Sequence, residues 1–155
     1  MNLFANFRKK VLSPSGVIEK AIRNKLVSPH DDPKYIKSHF SDLIEQLQID
    51  AYEIYLEEER SGGRKAIEEY IRTRLSSSAT AEDVIQIVGS MFSDLDRFFL
   101  SLTQSRRPRA GGAFEVILKT LVRKLGYPFD EQMVINGKPD FLMPHMQHYK
   151  TNPMD

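Results

Sequence analysis

The chain contains no cysteine. That excludes a disulfide framework, a thiolate zinc site and a cysteine nucleophile, and it fits a reducing compartment, so a cytoplasmic location is expected. No apolar run approaches the ~20 residues needed to cross a bilayer, and no membrane partner is expected. Residues 1–10 place their basic side chains after the apolar ones, the reverse of a secretory signal, and read as an ordinary first helix. Surplus charge is missing too. With 22 Lys and Arg against 21 Asp and Glu, the net charge is +1, and bulk charge does not announce a polyanion binder. Internal repeats and long low-complexity stretches are also lacking.

What is present describes a globular chain. Its 155 residues are 41% hydrophobic and 28% charged, enough apolar material for a real core. Charge is unevenly placed. Residues 42–59 are acidic, ending in Glu57-Glu58-Glu59. Residues 106–124 are basic, with Arg106, Arg107, Arg109, Lys119, Arg123 and Lys124 against the single acid Glu115. Such asymmetry can orient a protein on a polyanion, although on charge alone two solvated helical faces of opposite sign are the better reading.

Hydrophobic spacing makes the first two thirds helical. Val17, Ile18, Ala21, Ile22 and Leu26 form one stripe, stopped by Ser28-Pro29. Asp32-Pro33 is a helix start, opening a helix with Tyr35, Ile36, Phe40, Leu43, Ile44 and Leu47 on one face. A further helix is expected over residues 51–60, broken by Gly62-Gly63, and another from Ala66 to Leu75, ending at Ser76-Ser77-Ser78. Thr80 and Asp83 have capping-box spacing. The helix after them, residues 84–102, should bury Val84, Ile87, Val88, Met91, Leu95, Phe98, Phe99 and Leu102. At Ser105 the character changes. A Pro/Gly-punctuated basic segment leads to a helix over 113–125, stopped by Gly126. Gln132-Met133-Val134-Ile135, Asn136-Gly137 and residues 138–143 then read as a β-hairpin. The fold class is α+β and mostly helical, with an N-terminal helical region at 1–104 and a second unit at 105–155.

Glu115 and Asp140 are the candidate chemistry. Phosphodiester hydrolysis needs carboxylates that hold magnesium, and a strand-end aspartate can meet a glutamate from a neighbouring helix at one ion. Placed in the first turn of a helix over 113–125, Glu115 would also be favoured by the macrodipole. Two carboxylates alone are more often cap and turn residues.

The segment Ser105-Arg106-Arg107-Pro108-Arg109-Ala110-Gly111-Gly112-Ala113-Phe114-Glu115 is followed by Gly126-Tyr127, Gln132 and Gly137-Lys138-Pro139-Asp140-Phe141-Leu142-Met143-Pro144. Together they resemble the core of type II restriction endonucleases of the PD-(D/E)xK superfamily related to the EcoRII C-terminal catalytic domain and PspGI. The resemblance covers residues 105–155 and implies part of a restriction-endonuclease-like fold. It implies magnesium-dependent cleavage of double-stranded DNA at a short site such as CCNGG or CCWGG, by a homodimer. Asp140 matches the metal-binding aspartate and Glu115 the acid of the preceding helix. Arg106 and Arg109 match a basic segment assigned to DNA phosphates, where Gly111 and Gly112 would let the backbone turn closely.

The same pattern requires a catalytic lysine on a strand after Asp140 and an acid on a following helix. Neither is reached by Asp155, so the chain is expected to be the N-terminal part of such an enzyme. Lys150 lacks the acid two residues before it. Residues 145–155 read as a loop, and His145 and His148 as surface histidines. The competing readings are a catalytically inactive remnant or helical module that binds DNA or a partner, and a purely structural helical protein.

Overall fold

Capping chemistry sets where most of the helices begin. A computed structural model describes residues 2–131 and 141–151, without side-chain detail for 107–111, 141, 142, 149 and 150. Helix α1 (Leu3–Arg8) starts at Asn2, whose Oδ1 accepts from the Phe4 and Ala5 amides. Helix α2 (Pro14–Lys25) starts at Ser13, whose Oγ accepts from Gly16 N at 3.1 Å. Helix α3 (Pro33–Ser38) has Asp32 Oδ1 on the Lys34 amide at 2.8 Å, with Pro33 where no donor is needed. Helix α5 (Ala81–Ser90) opens on the full Thr80/Asp83 capping box. Helices α4 (Phe40–Arg72) and α6 (Phe92–Lys124) have no side-chain cap and follow a single-residue break from the helix before, at His39 and at Met91. The remainder is β1 (Asp130–Glu131), β2 (Phe141–Leu142) and α7 (Met146–Thr151).

Two expected breaks are absent. Helix α4 runs straight through Gly62-Gly63, and both glycines are buried. At Gly62 an added Cβ would overlap Val11 Cγ1 and lie 3.4 Å from Phe7 Cε2. The glycine therefore serves close approach of the α1 end of the chain and not helix termination. Helix α6 likewise runs through Pro108, Gly111 and Gly112, so the backbone makes no turn there and the 104/105 division falls inside one helix. Conversely, the helix read from Asp32 onward divides at His39 (φ −119°, ψ 27°), and the helix read over 84–102 divides at Met91.

The core has two clusters. One joins Val17, Ile18 and Ala21 of α2 to Leu43, Leu47, Ala51 and Tyr55 of α4 and Ile117 and Leu121 of α6. The other joins Leu3 and Phe7 of α1 to Ala66 and Tyr70 of α4 and Phe98 and Leu102 of α6, with Met91. Each large apolar side chain buried here stabilises by about 1.5–3 kcal/mol. Helices α4 and α6 contribute to both clusters. Helix α5 buries no residue: Val84 and Val88, expected in the core, are 36% and 44% exposed, and Phe99 of α6, also expected there, is 54% exposed. Only Ile87 and Leu95 of that stripe reach the second cluster from its edge, besides the buried Met91, Phe98 and Leu102.

Helix α6 stops as its sequence predicts. Gly126 adopts φ +75°, its amide bonds Arg123 O, and the Tyr127 amide bonds Val122 O. This is the paired closure of a Schellman cap. Strands β1 and β2 pair antiparallel, Asp130 with Leu142 and Glu131 with Phe141. The expected strand at 132–135, the Asn136-Gly137 turn and the start of the return strand lie outside the described residues. Residues 146–151 form a helix where a loop was expected. Asp130 Oδ2 accepts from Met146 N at 2.6 Å, supplying the helix start from across the strand pair. Among the described residues no helix is long and apolar enough to cross a membrane.

Candidate functional site

Helix α6 carries three of the four candidate residues. Arg106 lies against α4, where Glu59 is only 8% exposed. The guanidinium grips that carboxylate with two nitrogens, Nε at 3.3 Å from Oε2 and a second nitrogen in a close ion pair with Oε1. Tyr55, one turn earlier on α4, donates its hydroxyl to Glu59 Oε2. The arginine's pKa is raised, first by the hydrogen bond to Glu59 and then by its charge. Arg106 was expected on DNA phosphate; the structure places it on a buried carboxylate.

Arg109 lies in α6, its side chain outside the described detail. Glu115 is half-buried in the C-terminal half of α6, far from the helix start at Phe92, so no macrodipole favours its charge. Among the described residues its carboxylate takes no ion pair or hydrogen bond. Lys119 and Arg123 follow Glu115 at four-residue intervals and so share its face of the helix. Both hold Glu131 of β1, Arg123 at 2.9 Å and Lys119 in a close ion pair. Glu131 pairs in register with Phe141, the residue after Asp140 in the chain. Asp140 itself lies outside the described residues.

Sequence reading missed Glu59, Lys119 and Glu131. In sequence Glu59 reads as the end of a solvated acidic run. Its signal is positional: the buried residues of α4 include 51, 55, 59, 62, 66 and 70, so a glutamate sits inside the apolar stripe. Among the described residues no group of three or more His, Asp or Glu side chains could hold a metal. His145 is exposed and His148 half-buried at the start of α7. Beside Arg106 a cavity of about 230 Å³ opens between α2, α4 and α6, lined by Val17, Ile18, Tyr52, Tyr55 and Ala113 among others.

The family model described as EcoRII C terminal matches residues 65–155, more than half of the chain. The chain belongs to the EcoRII C-terminal family. No curated protein matches. Two solved structures share the fold. Metal-depleted Ecl18kI in complex with uncleaved, modified DNA is 23% identical with a TM-score of 0.72. Its complex with uncleaved DNA is 24% identical with a TM-score of 0.71. Each comparison covers 98% of this chain and 53% of the other, so this EcoRII C-terminal family member spans about half the length of those proteins. At this identity the likeness shows a restriction-endonuclease-like fold. It carries the chain from α1 to α7, including the helices that precede the EcoRII C-terminal match.

Proposed function

We propose that the chain forms part of a type II restriction endonuclease of the PD-(D/E)xK kind, which hydrolyses double-stranded DNA at a short specific site with magnesium. The family match over residues 65–155 carries this reading, because it takes in Glu115, Asp140, Arg106 and Arg109 together. Glu115 and Asp140 would hold the ion. Their donors are hard carboxylate oxygens of the kind magnesium prefers, and the Glu115 carboxylate is unclaimed among the described residues. When bound, the ion would neutralise phosphate charge and lower the pKa of an attacking water. Lys119 and Arg123 hold Glu131 and thereby tie the strand pair to the face of α6 that bears Glu115. Arg109 would contact phosphates, a sequence-independent and salt-sensitive role. Two copies would act together, since two-fold symmetry suits a palindromic duplex.

The test is plasmid cleavage by the full-length protein with magnesium, comparing wild type with Asp140→Asn and Glu115→Gln. Both substitutions are expected to abolish cleavage while leaving salt-dependent DNA binding. Undiminished cleavage by either variant removes that residue from the site. The alternative is a catalytically inactive helical module that binds DNA or a partner. Salt-sensitive binding by wild type with no cleavage at any magnesium concentration would establish that alternative.

A further inference from the structure

Between its two anchored ends, α6 crosses a stretch of weak helix formers. Phe98 and Leu102 fix it in one cluster, Ile117 and Leu121 in the other. From Leu102 to Ala113, which packs against the first cluster, the rise is about 16 Å at helical pitch. Within that span Pro108 has no amide for the Gln104 carbonyl, and Gly111 and Gly112 are poor helix formers. The cavity of about 230 Å³ beside Arg106 and Ala113 further thins the packing against α4. Arg106 stands immediately before the weak residues, and its bidentate pair with Glu59 bridges α6 to α4 there.

We propose that Glu59, acting through Arg106, is a positioning residue that clamps α6 ahead of its 107–112 stretch and withholds Arg106 from DNA. This rests on the nuclease reading for its purpose, which is to present the α6 segment between Arg109 and Glu115 in fixed register. The clamp follows from burial. Were Arg106 to leave for a phosphate, the Glu59 carboxylate would stay in the core without that cation, and holding a charge there without it costs more than at an exposed site. Tyr55 orients the carboxylate from the same helix, and its ring forms a wall of the cavity.

Two measurements on the full-length protein separate the clamp from a phosphate contact. The first is the dependence of duplex DNA affinity on salt for wild type, Glu59→Gln and Arg106→Gln. The clamp predicts that Arg106→Gln leaves the slope of log K against log salt unchanged. A phosphate contact predicts a slope shallower by about one for Arg106→Gln, and that result overturns the proposal. The second is amide hydrogen exchange without DNA. Both variants, and the double variant to the same extent, are expected to exchange faster at residues 103–113 and not in the two clusters. Unchanged exchange, or acceleration spread evenly over both clusters, overturns the clamp. Should Glu59→Gln fail to fold, Arg106→Lys is the milder variant, since it keeps the charge but loses the fork, and it is expected to show the same local acceleration. If wild type binds no DNA, the nuclease reading fails, and the exchange measurement still decides the clamp.

Discussion

Adjacent glycines in α4 should respond in opposite directions to the same substitution. Replacing glycine by alanine within a helix gains about 1 kcal/mol in propensity. At Gly63 the new methyl would meet Phe98 Cζ at 3.8 Å, an ordinary contact, so Gly63→Ala should keep that gain. At Gly62 the methyl overlaps Val11 Cγ1. Val11 is β-branched and short, so it cannot swing away without moving residues 9–12, and overpacking of this kind costs about 1–3 kcal/mol. The two variants should therefore differ by about 1–3 kcal/mol, Gly62→Ala being the less stable. At about 2–4 °C per kcal/mol for a domain of this size, the midpoints separate by several degrees. Thermal and urea unfolding followed by circular dichroism would measure both. Val11→Ala in the Gly62→Ala background should recover most of the loss. A Gly62→Ala protein as stable as Gly63→Ala would refute the close-approach explanation of this glycine pair.

Gly126→Ala should destabilise by about 1 kcal/mol, because the cap needs φ +75° there, and thermal unfolding would report it. Tyr55→Phe removes a donor from the buried Glu59 carboxylate and should cost about 1–3 kcal/mol in urea unfolding. Thr80→Ala should fray α5 by about 1 kcal/mol, seen as faster amide exchange at residues 81–86. The same cap is acid-sensitive. Asp83 is held below its ordinary value of 3.8, first by the Thr80 backbone amide and then by the Thr80 hydroxyl. Its contribution is full above that value and is lost as pH falls through the lowered one, so α5 exchange should rise only in strong acid.

Legibility followed the range of the interaction that decides each feature. The Asp32-Pro33 start, the Thr80/Asp83 box and the Gly126 stop depend on residues within a turn of one another, and each stands as its sequence implies. Gly62-Gly63 and the Pro108 to Gly112 segment look like breaks by propensity, yet both lie in helix. Helical stability in a protein comes mostly from tertiary packing, which no local window contains. Helix α7 was missed for the same reason: its start is satisfied by Asp130, sixteen residues away. Periodicity in α5 revealed an apolar stripe but not its neighbours, so Val84 and Val88 were assigned to a core that does not reach them. At the site, charge type was readable and partnership was not. Arg106 has the chemistry of a phosphate ligand, and only the fold brings Glu59 to it across 47 residues.

Because α4 links the two hydrophobic clusters as fully as α6 does, the chain is expected to tolerate a nick in α6. A cut between residues 107 and 112 would leave Phe98 and Leu102 seated in one cluster, and Ile117 and Leu121 in the other. Both pieces would remain docked on α4, whose Leu47 and Ala51 lie in the first cluster and Ala66 and Tyr70 in the second. Two separately expressed polypeptides divided at that point have the makings of a complementing pair, whose reassembly would restore α6 across the gap.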